Sequence, residues 1–364
     1  MKLLKYRTAA FLLASRLDPS SIERRFRENP LRPSDELDFV SKVNVKLAAV
    51  QMEYRPYRNL AELVEHLKQL VDDARKQGAQ LVSFPEYVGL LPLLLSPTLC
   101  ELAEDLLHAA EDDDQSTVND ILAFFDEYLS KPLFTAYYNF FALLANQSRL
   151  YIHAGSTLLM QNGKLVERCF LFGPDGEVVL EQDKLFLNPL EKKLGLCAAE
   201  QLELTDTALG RIAMLPGEDS FYFETAKVAH QLGAQLLLCP LRPTIESNEM
   251  AERCGPWMRC QEQPLYAVVS HFVGQMAQDK LCGKAAIYGP YEAVKANHGG
   301  IAAQSSNDKE CVLVSRVDME YLATLSDPYS NDANEAFSPV LSEVYRSFPE
   351  PMERLPQLEQ EQAF

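Results

Sequence analysis

The chain of 364 residues carries 34 Lys and Arg against 52 Asp and Glu, a formal net charge of −18, and is 47% hydrophobic. It is long enough to bury a large core and too apolar to stay disordered, and its acidity argues against a nucleic-acid binder, whose footprint is a basic face. No run approaches the roughly 20 uninterrupted apolar residues of a spanning helix, which argues against an integral membrane protein.

At the N-terminus, Lys2, Lys5 and Arg7 precede the apolar run Thr8 to Ala14, which Arg16 cuts short. A run this brief is marginal for a secretory leader, and Leu3, Leu4, Phe11 and Leu12 suit a helix that docks on the body of the protein. From residue 43 the pattern becomes regular. Val43, Val45 and Leu47 alternate with polar neighbours and lead into Ala48-Ala49-Val50, a strand entering a core. After a turn at Arg55–Asn59, Leu60, Leu63, Val64, Leu67, Leu70, Val71 and Ala74 recur at helical spacing. Gly78 ends that helix, and Leu81-Val82-Ser83-Phe84 is a short buried strand stopped by Pro85. The strand–helix–strand unit speaks for an α/β fold.

The unit has an echo: Gly78-Ala79-Gln80-Leu81-Val82-Ser83-Phe84-Pro85 recurs as Gly233-Ala234-Gln235-Leu236-Leu237-Leu238-Cys239-Pro240. Each copy follows an amphipathic helix, so two equivalent strand ends would present Glu86 and the Cys239–Arg242 stretch on one side. Chance likeness between two common α/β segments is the competing explanation.

A helical, acidic stretch spans roughly 90–150, in which Glu111-Asp112-Asp113-Asp114 reads as a solvated loop or helix start, with no metal role. Residues 150–187 read as three strands, with a hairpin turn at Gly173–Glu177. Further strands are expected at 211–215, 235–239, 265–273, 284–288 and 311–317. With no internal linker, the organisation is an N-terminal extension (1–42), one domain (43–335) and a Pro- and Glu-rich tail (336–364).

The eight cysteines form no C-x-x-C pair, and the six histidines include no H-x-x-x-H. That usage suits reduced, mostly buried thiols in a cytosolic protein, with no disulfide scaffold, no metal and no cofactor.

Open α/β folds place sites at strand ends. Glu86, just past a buried strand, would be partly desolvated and poised as a base. Lys184, after the hairpin's second strand, could hold a developing oxyanion, and Glu191 follows seven residues on. For each, a solvated surface charge is the plainer alternative. The turn Leu215-Pro216-Gly217-Glu218-Asp219 joins a strand to a helix, as nucleophile elbows do, yet Gly217 has no side chain to attack with.

Together these residues resemble the nitrilase superfamily of carbon–nitrogen hydrolases, over about 43–318. Val45 to Met52 looks like the family's opening strand, Phe84-Pro85-Glu86-Tyr87 its glutamate motif, and Lys184 through Glu191 its lysine and second glutamate. Thr207 to Ala213 resembles the run into its elbow, and Trp257, Arg259, Glu262, Val268 to Gly274 and Ile287 to Pro290 its late strands. The resemblance implies a four-layer α-β-β-α sandwich, assembled into dimers or larger oligomers. It also implies a Glu-activated Cys that attacks an amide or nitrile carbon, with the Lys stabilising the tetrahedral intermediate and water releasing the thioester.

Carried over by position, Glu86 is the base, Lys184 the lysine, Glu191 the second Glu, and Gly217 falls where the nucleophile belongs. Removing a nucleophile costs several orders of magnitude in rate, and Glu218, next along, would set a carboxylate against the developing oxyanion. Glu218, Asp219 and Cys239 are taken as substrate-binding candidates, Cys239 and then Cys197 as stand-in nucleophiles. The expectation is a homologue impaired in hydrolysis, with a binding or regulatory role toward a small amide, nitrile or carboxylate. The alternatives are an active hydrolase or acyltransferase using Cys239 or a Glu86-activated water, and a structural subunit paired with an active partner.

Overall fold

The computed structural model describes residues 2–33, 41–242, 253–276, 279–294, 299–325 and 339. The expected tail lies outside the described residues apart from Pro339, and the compact unit described below ends at Leu325. Among the described residues no helix is long and apolar enough to cross a membrane.

Helices α1 (Lys2–Arg16) and α2 (Pro19–Glu28) come first, α2 capped by Asp18 and started by Pro19. Helix α1 docks as expected, but through a different face. Tyr6, Ala10, Leu13 and Leu17, spaced i, i+4, i+7 and i+11, are buried, whereas Leu4, Phe11 and Leu12 point outward.

Strand β1 (Val45–Tyr54), helix α3 (Leu60–Lys76) and strand β2 (Leu81–Ser83) form the first strand–helix–strand unit, with β1 and β2 parallel. Helices α4 (Pro97–Glu111), α5 (Gln115–Phe124) and α6 (Lys131–Ser148) fill the acidic stretch; Glu111 ends α4 and Asp114 caps α5 through Thr117 N–H. An antiparallel meander follows: β3 (Tyr151–Gln161), β4 (Lys164–Phe172) and β5 (Val178–Asp183). The second half holds α7 (Pro189–Lys193), β6 (Leu204–Thr207), β7 (Gly210–Met214), α8 (Phe223–Gln231), β8 (Leu236–Pro240) and β9 (Tyr266–Met276), then β10 (Asp279–Leu281), β11 (Ala286–Tyr288), β12 (Ile301–Gln304) and β13 (Cys311–Val317). Trp257, Arg259 and Glu262, which resemble part of a strand region, lie on or beside a short helix at Met258–Glu262.

The strands run in the order β5-β4-β3-β2-β1-β9-β8-β7-β6. Strand β9 belongs to both halves: Tyr266–Ser270 pair with β8, and His271–Gly274 pair with β1. The side-chain alternation of each strand then sorts the layers. Ala48, Val50 and Met52 face a core shared with Leu63 and Val64 of α3 and Phe141 of α6. Leu47 and Ala49 point the other way, into a core with Met214, Leu236 and Leu238. Leu237 and Cys239 face a third core with Ala226 and Ala229 of α8 and with Cys260. Helix, sheet, sheet and helix follow in succession, the expected α-β-β-α sandwich.

The sequence echo is repeated bond for bond. Gly78 and Gly233 both take left-handed φ, +79° and +90°. Ala79 N–H donates to Ala74 O at 3.1 Å and Ala234 N–H to Ala229 O at 2.9 Å; Gln80 N–H and Gln235 N–H reach Lys46 O and Arg211 O, both at 2.8 Å. Both Gln side chains then accept the N–H of that same partner residue. One corner is built twice, which favours a repeated unit over chance likeness, and it sends β2 and β8 toward the candidate site.

All eight cysteines are free thiols. Three are buried, four half-buried and one exposed, fewer buried than expected.

Candidate active site

Glu86 leaves β2 in a sharp turn. Tyr87 takes φ +61°, and its N–H donates to Ser156 Oγ on β3 at 2.7 Å. Lys184 follows β5, held by its own N–H to Glu167 O at 3.0 Å. Glu191 sits in the first turn of α7, where Asn188 and Glu191 make a reciprocal capping box around Pro189. One carboxylate oxygen of Glu191 accepts Asn188 N–H at 2.8 Å, which leaves the other free to reach inward.

These three segments meet at one ammonium. Lys184 Nζ lies 2.8 Å from Glu86 Oε1, 2.6 Å from Glu191 Oε1, 2.8 Å from Glu218 Oε2 and 3.4 Å from Glu167 Oε2. Tyr87 Oη donates to Glu191 Oε1 at 2.6 Å, and Ser156 Oγ donates to Glu167 Oε1 at 2.7 Å. The side chains of Lys184, Glu86 and Glu167 are fully buried. Oxygens of Glu86, Glu191 and Glu218 lie close enough together to surround a cation, and the ammonium of Lys184 is the cation they share.

Charge decides the protonation. Burial disfavours the Lys184 ammonium, but Glu86, Glu167, Glu218 and Glu191 outweigh it and hold its pKa well above the usual lysine range. Four carboxylates on one cation cannot all stay ionised cheaply. Burial, and next the neighbouring Glu167, push Glu86 well above the ordinary carboxylate range, against the pull of Lys184. Ionisation of Glu86 is therefore disfavoured, and its Oε2, like Oε2 of Glu167, has no hydrogen-bond partner among the described residues. Glu218 goes the other way: burial opposes its ionisation, but Lys184 and Arg242 prevail and keep it below the ordinary range.

The elbow delivers the other half. After β7 and Pro216, Gly217 adopts φ +50° and starts a short 3-10 turn, Gly217–Ser220, ahead of α8. A Cβ at Gly217 would overlap Glu86 Oε1 and stand 2.7 Å from Lys184 Nζ. The position therefore faces the Glu–Lys pair directly, and the pair has closed over the space a side chain would take. Glu218 turns toward Lys184, and Arg242, just past β8, reaches Glu218 Oε1 with Nε at 3.3 Å. Asp219 is fully buried, and its two oxygens accept Leu185 N–H at 2.8 Å and Phe186 N–H at 2.7 Å. It braces the residues after Lys184, and burial pushes its pKa up to about 7.

Cys239 lies apart from this meeting point, packed in the third core with Leu215, Ala226 and Cys260. Burial pushes its thiol well above the ordinary range, which disfavours the thiolate. Sequence reasoning missed Glu167, Tyr87 and Ser156. Glu167 offered a weak signal: Leu165-Val166 and Cys169-Phe170-Leu171-Phe172 lie on either side of the Glu167-Arg168 pair in a largely apolar strand, and a charge buried there needs a partner.

A Glu and a Lys brought together over a strand-to-helix turn, within an α-β-β-α sandwich, mark a class, and the chain belongs to it: it is a member of the carbon–nitrogen hydrolase family, whose model matches residues 46–326. It is 26% identical over 289 residues to the probable hydrolase YhcX of Bacillus subtilis (strain 168), covering 78% of this chain and 52% of YhcX. Against the omega-amidase NIT2 of Bos taurus it is 24% identical over 203 residues, 54% of this chain and 62% of that protein. The chain thus spans about half to three fifths of the length of these two relatives. Its fold matches that of an amidase of the nitrilase superfamily from Nesterenkonia AN1, with TM-score 0.57 at 16% identity over 84% of this chain and 98% of the amidase. Variants of that amidase have been solved with acrylamide and with butyramide, and with a covalent adduct on its active site cysteine.

Proposed function

We propose that this chain is a carbon–nitrogen hydrolase homologue in which Gly217 stands at the nucleophile position, so that thiol-dependent cleavage of a non-peptide C–N bond is lost. What remains is a site for a small amide, nitrile or carboxylate with a binding or regulatory role. One observation carries this reading: the missing Cβ of Gly217 points between Glu86 Oε1 and Lys184 Nζ, where a nucleophile would need to sit to use both. Its left-handed φ suits a strained elbow, and glycine takes it without cost. The small amides bound by the Nesterenkonia amidase support the ligand class.

An active enzyme is the second reading, and it fits a Glu86-activated water better than Cys239, whose thiol burial keeps protonated, provided Glu86 first gives up the proton that burial favours. A self-associating chain fits as well. Phe186 and Tyr222 stack with ring centroids 4.1 Å apart, and with Phe223, Val228 and Leu232 they expose apolar surface on and around α8. A second copy is the occupant we propose for that face.

Ammonia release from a panel of amides, nitriles and carbamoyl compounds tests the main reading. Wild type is expected to release none. Turnover by wild type that Glu86→Gln abolishes would overturn it. Gly217→Cys is expected to gain activity only if the ends of Glu86 and Lys184 withdraw from the Cβ.

A further inference from the structure

Three of the four carboxylates around Lys184 are locked in place. Glu86 and Glu167 are fully buried, and both oxygens of Glu191 are used by Lys184, Tyr87 and Asn188. Glu218 differs. Its side chain is 22% exposed, and it is the member of the cluster that borders solvent.

The surroundings of Glu218 are those of a bound acid. Oε2 lies 2.8 Å from Lys184 Nζ, Oε1 lies 3.3 Å from Arg242 Nε, and Asn188 Nδ2 donates to Oε1 at 3.4 Å. These partners come from three separate places: the loop after β5, the end of β8 and the cap of α7. One inner cation, one outer cation and one amide converge on a single carboxylate, and the chain itself supplies that carboxylate.

We propose that Glu218 is a built-in stand-in for a carboxylate-bearing ligand: a small organic acid enters by displacing the Glu218 side chain and bridges Lys184 and Arg242 in its place. This rests on the reading of the site as a binding site and narrows it, since amides and nitriles bring no charge to replace the one withdrawn from between two cations. The displacement is feasible because the Glu218 side chain already reaches solvent along one edge and can swing outward, whereas the Glu86 and Glu167 side chains are fully enclosed and have no such path. While Glu218 occupies the site, the apparent affinity for an added acid is reduced by the fraction of molecules in which the site is free.

The test is calorimetric titration of the full chain with propionate and, separately, with propionamide. Glu218→Gln keeps the side-chain shape without its charge, and Glu218→Ala serves as a second opening variant should the first fail to fold. Either is expected to bind propionate about tenfold or more tighter than wild type, with no comparable gain for propionamide, and adding Arg242→Gln should cancel the gain. Equal propionate affinity in wild type and folded Glu218 variants would overturn the stand-in role while leaving a binding site in place. An equal gain for propionamide would overturn the carboxylate preference, and no binding of either probe by a folded variant would overturn the proposal outright. Ammonia release by wild type bears on the loss of hydrolysis alone and leaves this comparison readable.

Discussion

Gly155 backs directly onto Pro85: a Cβ on the glycine would overlap the proline's carbonyl oxygen and stand 2.8 Å from its carbonyl carbon. Gly155 also has φ +58°. Neither the backbone nor a rigid carbonyl can yield as a side-chain tip would. Gly155→Ala is therefore expected to cost about 3 kcal/mol or more in urea unfolding, through the turn that carries Glu86. A loss under about 1 kcal/mol would show that the turn adjusts freely.

Lys184 is the sole cation at the centre of the cluster among the described residues. Lys184→Met should cost about 3–5 kcal/mol, the usual penalty for breaking a buried pair from one side. The loss should shrink at pH 5 relative to pH 8, as the stranded carboxylates take up protons. Glu86→Gln, which keeps the side-chain shape and removes a carboxyl whose ionisation burial already disfavours, should cost much less. Denaturation curves for both variants at the two pH values decide this, and equal losses would contradict the protonation pattern.

Asp219 provides both acceptors for the backbone just beyond Lys184. Asp219→Ala strands two N–H groups at about 1–3 kcal/mol each, so a loss of about 2–6 kcal/mol is expected. Faster amide exchange at Leu185 and Phe186 should accompany it. Unchanged exchange there would remove the brace from the account.

His153 and His271 are buried, and burial lowers their pKa values to about 3 and about 4. The folded state keeps both neutral, while an unfolded chain protonates them below about pH 6.5. Stability from these residues is thus complete above about pH 6.5 and is lost as pH falls toward 4. His153→Gln is expected to flatten the acid limb of stability plotted against pH; an unchanged limb would assign the loss to other groups.

The sequence made the frame readable because apolar period and glycine punctuation are local signals. The β1–α3–β2 unit, the meander around Gly173–Glu177 and the repeated corner at Gly78 and Gly233 all carry them. The strands missed, β6, β10 and β12, have three or four residues each and lie at the sheet margins, partly exposed and mixed in polarity, unlike the equally short but fully buried β2 and β11. The site was half legible. Glu86, Lys184 and Glu191 lie at strand ends or helix starts, where position along the chain predicts function. Glu167 lies inside a strand, and its role depends on what the neighbouring strand and loop place opposite it, which no local pattern encodes. The face by which α1 docks was misjudged for a related reason: Phe11 and Leu12 are the bulky residues, but Tyr6, Ala10, Leu13 and Leu17 share the side that meets the body.

Strand β9, paired along one part of its length with β8 and along the next with β1, works as a splint. The two halves that hold Glu86 and the elbow cannot part like jaws around a guest, because a single run of backbone is stitched into both. Entry of the proposed acid would then be decided at the lip, by the swing of individual side chains such as Glu218 and Arg242, on the timescale of rotamers and with little cost in domain motion.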